Sequence, residues 1–229
     1  MTSLRFVFLF LLTSFSALAQ KDYKLWLQYN TVDNASISKE YQDNLKGILV
    51  LGNSETIKIA VKELKTGFLE MLGNVPEIKS DLKEENNLII GSQSNLNTEI
   101  RKELQSDFDK INEEGFIIKS ISIQYKKQII ITGKTDVAVL YGVFNFLSIL
   151  QTNKSVKNLN TVDSPKTNIR ILNHWDNLDR TVERGYAGFS LWNWQKLPDF
   201  IDQRYIDYAR ANASIGINGT VLTNVNANA

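Results

Sequence analysis

The chain contains no cysteine and a single histidine, His174. Without cysteine there can be no disulfide framework, no thiolate zinc site and no cysteine nucleophile. A single histidine also excludes a metal site built from several imidazoles. Acid–base chemistry in this chain is therefore left to one imidazole ring and to carboxylates.

An excess of either charge is also missing. The chain has 26 basic and 25 acidic residues, and loss of the N-terminal segment described next removes one arginine and leaves no net charge. A nucleic-acid partner normally requires a basic excess, so we expect none. Hydrophobic residues make up 43% of the 229 positions, which is enough to bury the core of one large or two smaller domains.

Long hydrophobic runs are lacking except at the N-terminus. There Arg5 precedes an apolar run over residues 6–12, and Ala17-Leu18-Ala19 follows with small residues. This order is typical of a secretory signal peptide, which we predict over residues 1–19 with cleavage after Ala19. The run is shorter than the roughly 20 residues of a transmembrane helix, so we expect a secreted or periplasmic protein with no membrane partner.

Residues 20–150 carry both helix and strand patterns. Apolar residues at helical spacing predict helices over 54–72, with Ser54 as cap and Gly73 as stop, over 98–104 and over 135–150. Short apolar or alternating runs predict strands over 23–29, 48–51 and 88–91, and a β-hairpin over 116–132 that turns at 125–127. We interpret this segment as an α+β domain in which helices cover one face of an antiparallel or mixed sheet.

Residues 151–168 are polar and are interpreted as a linker. Behind them, a strand over 169–172, a long loop, a helix over 198–212 and a strand over 219–223 predict a βαβ unit with parallel strands. A lone unit cannot close a sheet, whereas a (β/α)8 TIM barrel needs about 250 residues. We therefore predict that residues 169–229 begin a TIM barrel that is incomplete here, and that the chain is the front part of a longer protein.

The loop after the first predicted barrel strand, NHWDNLDRTVERGYAGFSLWNW over residues 173–194, holds three of the four tryptophans. In a barrel, loops at the C-terminal ends of strands build the active site. Indole faces match the apolar face of a sugar ring, and the forked guanidinium of Arg184 suits a carboxylate, so an acidic sugar is a reasonable ligand. Candidate binding residues here are Trp175, Asp176, Asn177, Asp179, Arg184 and Trp192, joined by Asn224 and Asn226 of the next such loop.

Simpler interpretations of these aromatic residues stay open. Trp192 and Trp194 are two positions apart and share a face in an extended segment, so either could pack the loop onto the barrel instead of binding a ligand. His174 could be a catalytic base, but a lone histidine among polar neighbours is more often a structural hydrogen-bonding residue.

The charged residues of the loop have alternatives as well. Arg184 could pair with Asp179 or Glu183 and make the loop rigid without touching a substrate. Catalytic groups of a barrel come from several different strands, whereas Asp176, Asp179 and Glu183 lie on one loop. For that reason we assign none of them as acid or base of a glycosidase.

Two segments carry a family resemblance. The first reads RILNHWDNLD from residue 170, continues through ERGYAG and ends at SLW, and the second reads ASIGINGTV from residue 213, followed by NVNA. Together they resemble the signature of the α-glucuronidases of glycoside hydrolase family 67. The resemblance implies an inverting enzyme that removes α-1,2-linked glucuronic acid, or its 4-O-methyl ether, from xylooligosaccharides. It also implies an α+β domain, a (β/α)8 barrel and a helical C-terminal region.

The same resemblance implies roles for individual residues. Trp175 would border the sugar pocket, and Val225 would lie near the 4-position of the sugar, where a methyl ether needs an apolar neighbour. Pocket or support roles would fall to Glu183, Arg184, Asn224 and Asn226. The general acid and base of the family would lie beyond residue 229, so we expect no catalytic residue in this chain and no activity from it alone. No metal or organic cofactor is implied, because carboxyl groups suffice to protonate the leaving group and activate water.

Two other functions stay open. One is a non-catalytic secreted protein that binds carbohydrate with the tryptophan loop. The other is a different, hexosaminidase-like glycosidase, in which Arg184 would not contact a carboxylate. A homodimer of the parent protein also stays open, because family dimer contacts would lie outside this sequence.

Overall fold

A computed structural model describes residues 22–222, and the structural statements below concern that part of the chain. Its α-helices are α1 Ala35–Asn44, α2 Glu55–Leu72, α3 Thr98–Glu103, α4 Gln105–Phe108, α5 Asp136–Gln151 and α6 Gln203–Ser214. Its strands are β1 Gly47–Val50, β2 Glu77–Lys79, β3 Asn87–Ile90, β4 Phe116–Ile123, β5 Lys126–Gly133, β6 Asn160–Asp163, β7 Ile171–Asn173 and β8 Gly219–Val221. None of the helices in this part is both long and apolar enough to cross a bilayer.

The first six strands form one mixed sheet in the order β2-β1-β3-β5-β4-β6. Strands β2, β1, β3 and β5 are parallel, and β4 runs antiparallel between β5 and β6. The predicted hairpin is confirmed as β4 and β5, but it turns at Gln124 and Tyr125, one residue earlier than predicted. Both residues have positive φ, 48° and 64°, which is the backbone of a two-residue turn that suits the twist of paired strands.

Helix α2 begins and ends where its sequence predicts. The Ser54 side chain accepts a hydrogen bond from the N–H of Ile57 at 3.2 Å, and Gly73 ends the helix in the left-handed conformation. Thr135 caps α5 in the same way, through the N–H of Ala138. These two helices are confirmed because the signals at their ends act within a few residues of the chain.

The prediction that helices cover one face of the sheet is wrong. Helices α2 and α5 pack on one face, and α3 and α4 pack on the other through Ile100, Leu104 and Phe108. Consecutive strand residues point to opposite faces, and both Leu88 and Ile89 are fully buried. A strand buried on both sides reads as a continuous apolar run, and such a strand requires cover on both faces.

The strand predicted over 23–29 is also wrong, because residues Asp22–Leu27 form a 3₁₀ helix interrupted at Leu25. Of its alternating apolar residues, Leu27 and Tyr29 are buried in the core, whereas Leu25 is exposed. Burial in this segment therefore does not follow the alternation of a strand.

Part of the segment interpreted as a linker belongs to the sheet. Strand β6 pairs antiparallel with β4, in a register that places Phe116 opposite Asp163. A short polar strand is suited to a sheet edge, where one side of its backbone stays open to water. Its polar composition therefore concealed a strand within residues 151–168.

The predicted parallel βαβ unit is confirmed by β7, α6 and β8. Strands β7 and β8 pair in parallel, with Ile171 opposite Gly219, and form a sheet separate from the other six strands. Helix α6 begins later than predicted, at Gln203, because the Asp202 side chain accepts a hydrogen bond from the N–H of Arg204 and caps it there. The order of elements positions the loop of residues 174–202 between β7 and α6.

Candidate functional site

Backbone hydrogen bonds fold the loop after β7 onto itself. The N–H of Glu183 donates to the carbonyl of Trp175 at 2.7 Å, and the N–H of Ser190 donates to the carbonyl of Arg180 at 2.8 Å. Gly185 and Gly188 have φ of 91° and 87°, which provides the tight turns between these contacts. The loop is therefore a defined scaffold for the side chains that it carries.

Asn177 and Asp179 hold the first turn of this scaffold. The Asn177 side-chain amide donates to the hydroxyl of Thr181 at 2.9 Å and to the carbonyl of Glu183 at 2.7 Å. The Asp179 carboxylate accepts from the N–H and the hydroxyl of Thr181, and these hydrogen bonds lower the pKa of Asp179. Both side chains thus contribute to the architecture of the loop.

A polar network lies beneath the loop. His174 Nε2 lies 2.6 Å from the hydroxyl oxygen of Tyr208, and His174 Nδ1 lies 3.6 Å from Asp176 Oδ1. The buried Asp176 carboxylate accepts the hydrogen bond of the Ser190 hydroxyl, and Ser190 Oγ in turn accepts the N–H of Trp192 at 2.9 Å. The network joins the end of β7 to helix α6 and to the far end of the loop.

Trp192 is packed inside an aromatic cluster rather than presented at the surface. Its ring centroid lies 4.8 Å from that of Tyr205, 5.4 Å from that of Tyr208 and 5.9 Å from that of His174. Only 7% of the residue is exposed. These contacts favour the interpretation in which Trp192 packs the loop, and the substrate-binding role predicted for it stays a prediction.

The exposed surface of the loop is aromatic and cationic. Trp175 is 49% exposed, and Tyr186 and Phe189 are exposed as well. Arg184 is exposed, and within residues 22–222 no carboxylate pairs with it, neither Asp179 nor Glu183. Its guanidinium is therefore available to an anionic ligand.

Asp176, Asp179 and Glu183 each contact another residue of the loop. Asp176 is bonded to Ser190, and Asp179 to Thr181. The Glu183 carboxylate raises the pKa of the nearby Tyr186 hydroxyl. This arrangement offers an aromatic face and a cation to a ligand, while its carboxylates support the backbone.

The predicted site residues divide into those that the structure brings together and those that it does not describe. Six lie on the one loop, namely Trp175, Asp176, Asn177, Glu183, Arg184 and Trp192. Asn224, Val225 and Asn226 lie outside the described residues. Because β8 runs parallel to β7, residue 222 leaves the pair at the same end as the loop.

Within residues 22–222, no cluster of three His, Asp or Glu side chains could hold a metal ion.

Sequence reasoning missed Tyr205 and Tyr208, which hold the loop from helix α6. Tyr208 contacts His174, and the hydroxyl of Tyr205 accepts the N–H of Asn193 at 2.8 Å. A signal was present, because two tyrosines three positions apart share one helix face. Helical spacing alone could not show which surface that face meets.

Both parts of the chain match one family. Residues 25–146 match the Glycosyl hydrolase family 67 N-terminus, and residues 149–229 match the Glycosyl hydrolase family 67 middle domain. The six-stranded α/β domain and the βαβ unit that carries the aromatic loop thus match consecutive domains of one family. The chain belongs to glycoside hydrolase family 67.

The chain is also similar to curated proteins named as alpha-glucuronidases. Alpha-glucuronidase A of Emericella nidulans is 30% identical over 235 residues, an alignment that covers 97% of this chain and 26% of the relative. Probable alpha-glucuronidase A of Aspergillus terreus is 33% identical over 179 residues, covering 76% of this chain and 20% of the relative. The chain spans about a quarter of the length of the curated relatives it matches.

Two solved structures share the fold. One is a family GH115 4-O-methyl-α-glucuronidase with specificity for decorated arabinogalactans, with a TM-score of 0.53, 12% identity, and coverage of 77% of this chain and 25% of that one. The other is a GH138 enzyme targeting pectin rhamnogalacturonan II, with a TM-score of 0.50, 18% identity, and coverage of 79% and 19%. At such identities the likeness concerns the fold alone.

Proposed function

We propose that the whole protein is an inverting α-glucuronidase that removes α-1,2-linked glucuronic acid, or its 4-O-methyl ether, from xylooligosaccharides. The observation that carries this proposal is the match of two consecutive segments of the chain to the first two domains of glycoside hydrolase family 67. The relatives named alpha-glucuronidase A support the same activity. The proposal requires no metal or organic cofactor, since carboxyl groups can supply the acid and the base.

In this proposal, the present chain supplies one wall of the sugar pocket. The exposed indole of Trp175 stacks on the ring of the sugar acid, and Arg184 pairs with its carboxylate. Val225, which follows β8 in the sequence, contacts the 4-O-methyl group. The general acid and base come from later strands of the barrel.

The proposal extends the βαβ unit to a (β/α)8 barrel and places the protein outside the cytoplasm. The parallel pair β7 and β8, joined by α6, supports the barrel, because strand–helix–strand is its repeating unit. The charged and apolar order of residues 1–19 supports secretion or export to the periplasm. Export is tested by mass spectrometry of the protein recovered outside the cytoplasm, for which we expect an N-terminus at Gln20.

Activity is tested with the full gene product and with residues 20–229, each incubated with an aldouronic acid. We expect the full product to release glucuronic acid as the inverted β-anomer, and residues 20–229 to release none. Release of hexosamine from a hexosaminide, with no release of glucuronic acid, would establish the hexosaminidase-like alternative. Sugar binding by the full product without any hydrolysis would establish a carbohydrate-binding protein instead.

The role of the tryptophan loop is tested by matched tryptophan variants. Trp175 and Trp26 are exposed to nearly the same degree, 49% and 47%, but only Trp175 lies on the loop. We expect Trp175→Ala to weaken glucuronate binding by the full product roughly three- to tenfold, because one aromatic contact is lost. The control Trp26→Ala should leave the affinity unchanged. Equal losses in both variants would contradict a specific role for the loop.

A further inference from the structure

Trp175 lies between two anchored neighbours. His174 is held by Tyr208 of α6 through a contact of 2.6 Å, and Asp176 is almost fully buried. The carbonyl of Trp175 itself accepts the N–H of Glu183 at 2.7 Å. The backbone of Trp175 is therefore held on both sides, while its indole stays half exposed.

The ring of His174 is the part of this arrangement that connects helix to loop. It packs edge-on against Tyr208 at 5.3 Å and against Trp192 at 5.9 Å, and its Nδ1 faces the Asp176 carboxylate at 3.6 Å. A neutral ring with its proton on Nδ1 satisfies both sides, because Nε2 then accepts the Tyr208 hydroxyl and Nδ1–H faces the carboxylate. One side chain thus transmits the position of α6 to the loop.

We propose that His174 is a positioning residue that fixes the backbone from which the Trp175 indole projects, by linking Tyr208 to Asp176. This rests on the proposed function in one respect, namely that the Trp175 indole contacts the sugar. A ring whose backbone is already held in place loses less conformational freedom when the ligand arrives. His174 therefore affects sugar binding without touching the sugar.

The link is tested by ¹⁹F NMR of the chain labelled with 5-fluorotryptophan. Its four tryptophans give four resonances, which single Trp→Phe variants assign. We expect Tyr208→Phe and His174→Phe, which keep a ring but remove the hydrogen bond, to shift or broaden the Trp175 resonance. Trp26, which bonds Ser214, should not change, and so reports whether each variant is folded.

Two further variants separate positioning from general damage. Tyr205→Phe removes a hydroxyl from the same helix, but that hydroxyl bonds Asn193 rather than His174, so the Trp175 resonance should stay in place. His174→Gln offers an amide oxygen to the Tyr208 hydroxyl, and it should restore the Trp175 resonance toward its original position. An unchanged Trp175 resonance in both His174→Phe and Tyr208→Phe would overturn the proposal.

Titration of the full gene product with glucuronate completes the test. We expect His174→Phe and Tyr208→Phe each to weaken binding roughly three- to tenfold, as loss of one hydrogen bond does. The double variant should lose no more than either single one, because both remove the same link. Additive losses, or unchanged affinity in both variants, would contradict the proposal. A responsive Trp175 resonance in a protein that binds no glucuronate would instead disprove the proposed function and leave the positioning role of His174 intact.

Discussion

The six-stranded sheet and the loop after β7 hold their residues in place by different means. In the sheet, strand residues such as Ile89 are fully buried between helices, so hydrophobic contact on both faces fixes them. In the loop, Trp175 is half exposed, and hydrogen bonds of its neighbours His174 and Asp176 define its position. Burial stabilises a side chain by removing it from water, which also removes it from ligands. Directional hydrogen bonds, by contrast, can hold a segment whose aromatic ring remains accessible to a ligand.

Helix α6 connects these two regions through a partly buried ion pair. The Arg210 guanidinium donates to both oxygens of Glu63, at 2.7 and 2.9 Å, and the Tyr29 hydroxyl donates to the same carboxylate at 2.8 Å. The hydrogen bond with Glu63 raises the pKa of Arg210, and burial raises the pKa of Tyr29. The helix that carries Tyr205 and Tyr208 is thus fastened to α2 of the sheet domain.

The largest effect is expected from Phe68→Ala in the core. Phe68 is fully buried on α2 and packs edge-on against Phe146 at 6.5 Å. Truncation leaves a cavity, so the free energy of unfolding should fall by about 3–5 kcal/mol in urea denaturation. The matched control Phe189→Ala, on the loop and 84% exposed, should change it by less than about 0.5 kcal/mol. Similar losses in both variants would remove the contrast between the two regions.

The second effect concerns the link between the regions. Glu63→Ala leaves the Arg210 guanidinium without its main partner. We therefore expect the free energy of unfolding to fall by about 3 kcal/mol and the backbone amides of α6 to exchange hydrogen faster. Glu55→Ala removes an exposed ion pair with Lys58 on the same helix, and should cost less than about 1 kcal/mol. Normal protection of α6 in Glu63→Ala would indicate that other contacts hold this helix.

The third effect is a difference in acid sensitivity. The hydrogen bond from Lys119 lowers the pKa of the buried Asp107 in the folded protein. The ionised carboxylate therefore stabilises the fold at pH above about 4, the pKa of an aspartate in the unfolded chain. This stabilisation is lost as the pH falls through the pKa of the folded state. In Asp107→Asn the free energy of unfolding should therefore be lower by about 1–2 kcal/mol at pH 7, and it should depend less on pH below about 4. Asp179 also has a lowered pKa but is exposed, so Asp179→Asn should leave the profile of unfolding close to that of the unchanged protein. Identical profiles for all three proteins would refute this expectation.

The smallest effect compares helix caps. Ser54→Ala and Asp202→Ala each remove a side-chain acceptor at a helix start and should each cost about 1 kcal/mol. Only Asp202→Ala should alter the fluorescence of the tryptophan loop, because α6 carries the tyrosines that pack on Trp192. A spectral change in Ser54→Ala would show that the two regions are more tightly coupled than these contacts indicate.

Much of the fold could be predicted because its signals are local. Ser54 and Gly73 define the ends of α2 within a few residues, and the strand–helix–strand order after residue 169 predicts the parallel pair of β7 and β8. The strand predicted over 23–29 was wrong because this segment is held by distant contacts, such as that of the Tyr29 hydroxyl with Glu63 of α2, and not by strand pairing. Strand β6 was missed because its partner, β4, lies about forty residues earlier in the chain.

For the candidate site, the sequence by itself determined which chemistry is present and where along the chain it is concentrated. The residue types between 173 and 194 indicate an aromatic, hydrogen-bonding and cationic surface, and the family signature lies partly in the same residues. Only the tertiary structure decided that Trp175 is exposed whereas Trp192 is buried, although both are tryptophans on one loop. The reason is that burial depends on Tyr205 and Tyr208 of α6, and no local pattern specifies which side of the loop a later helix will cover.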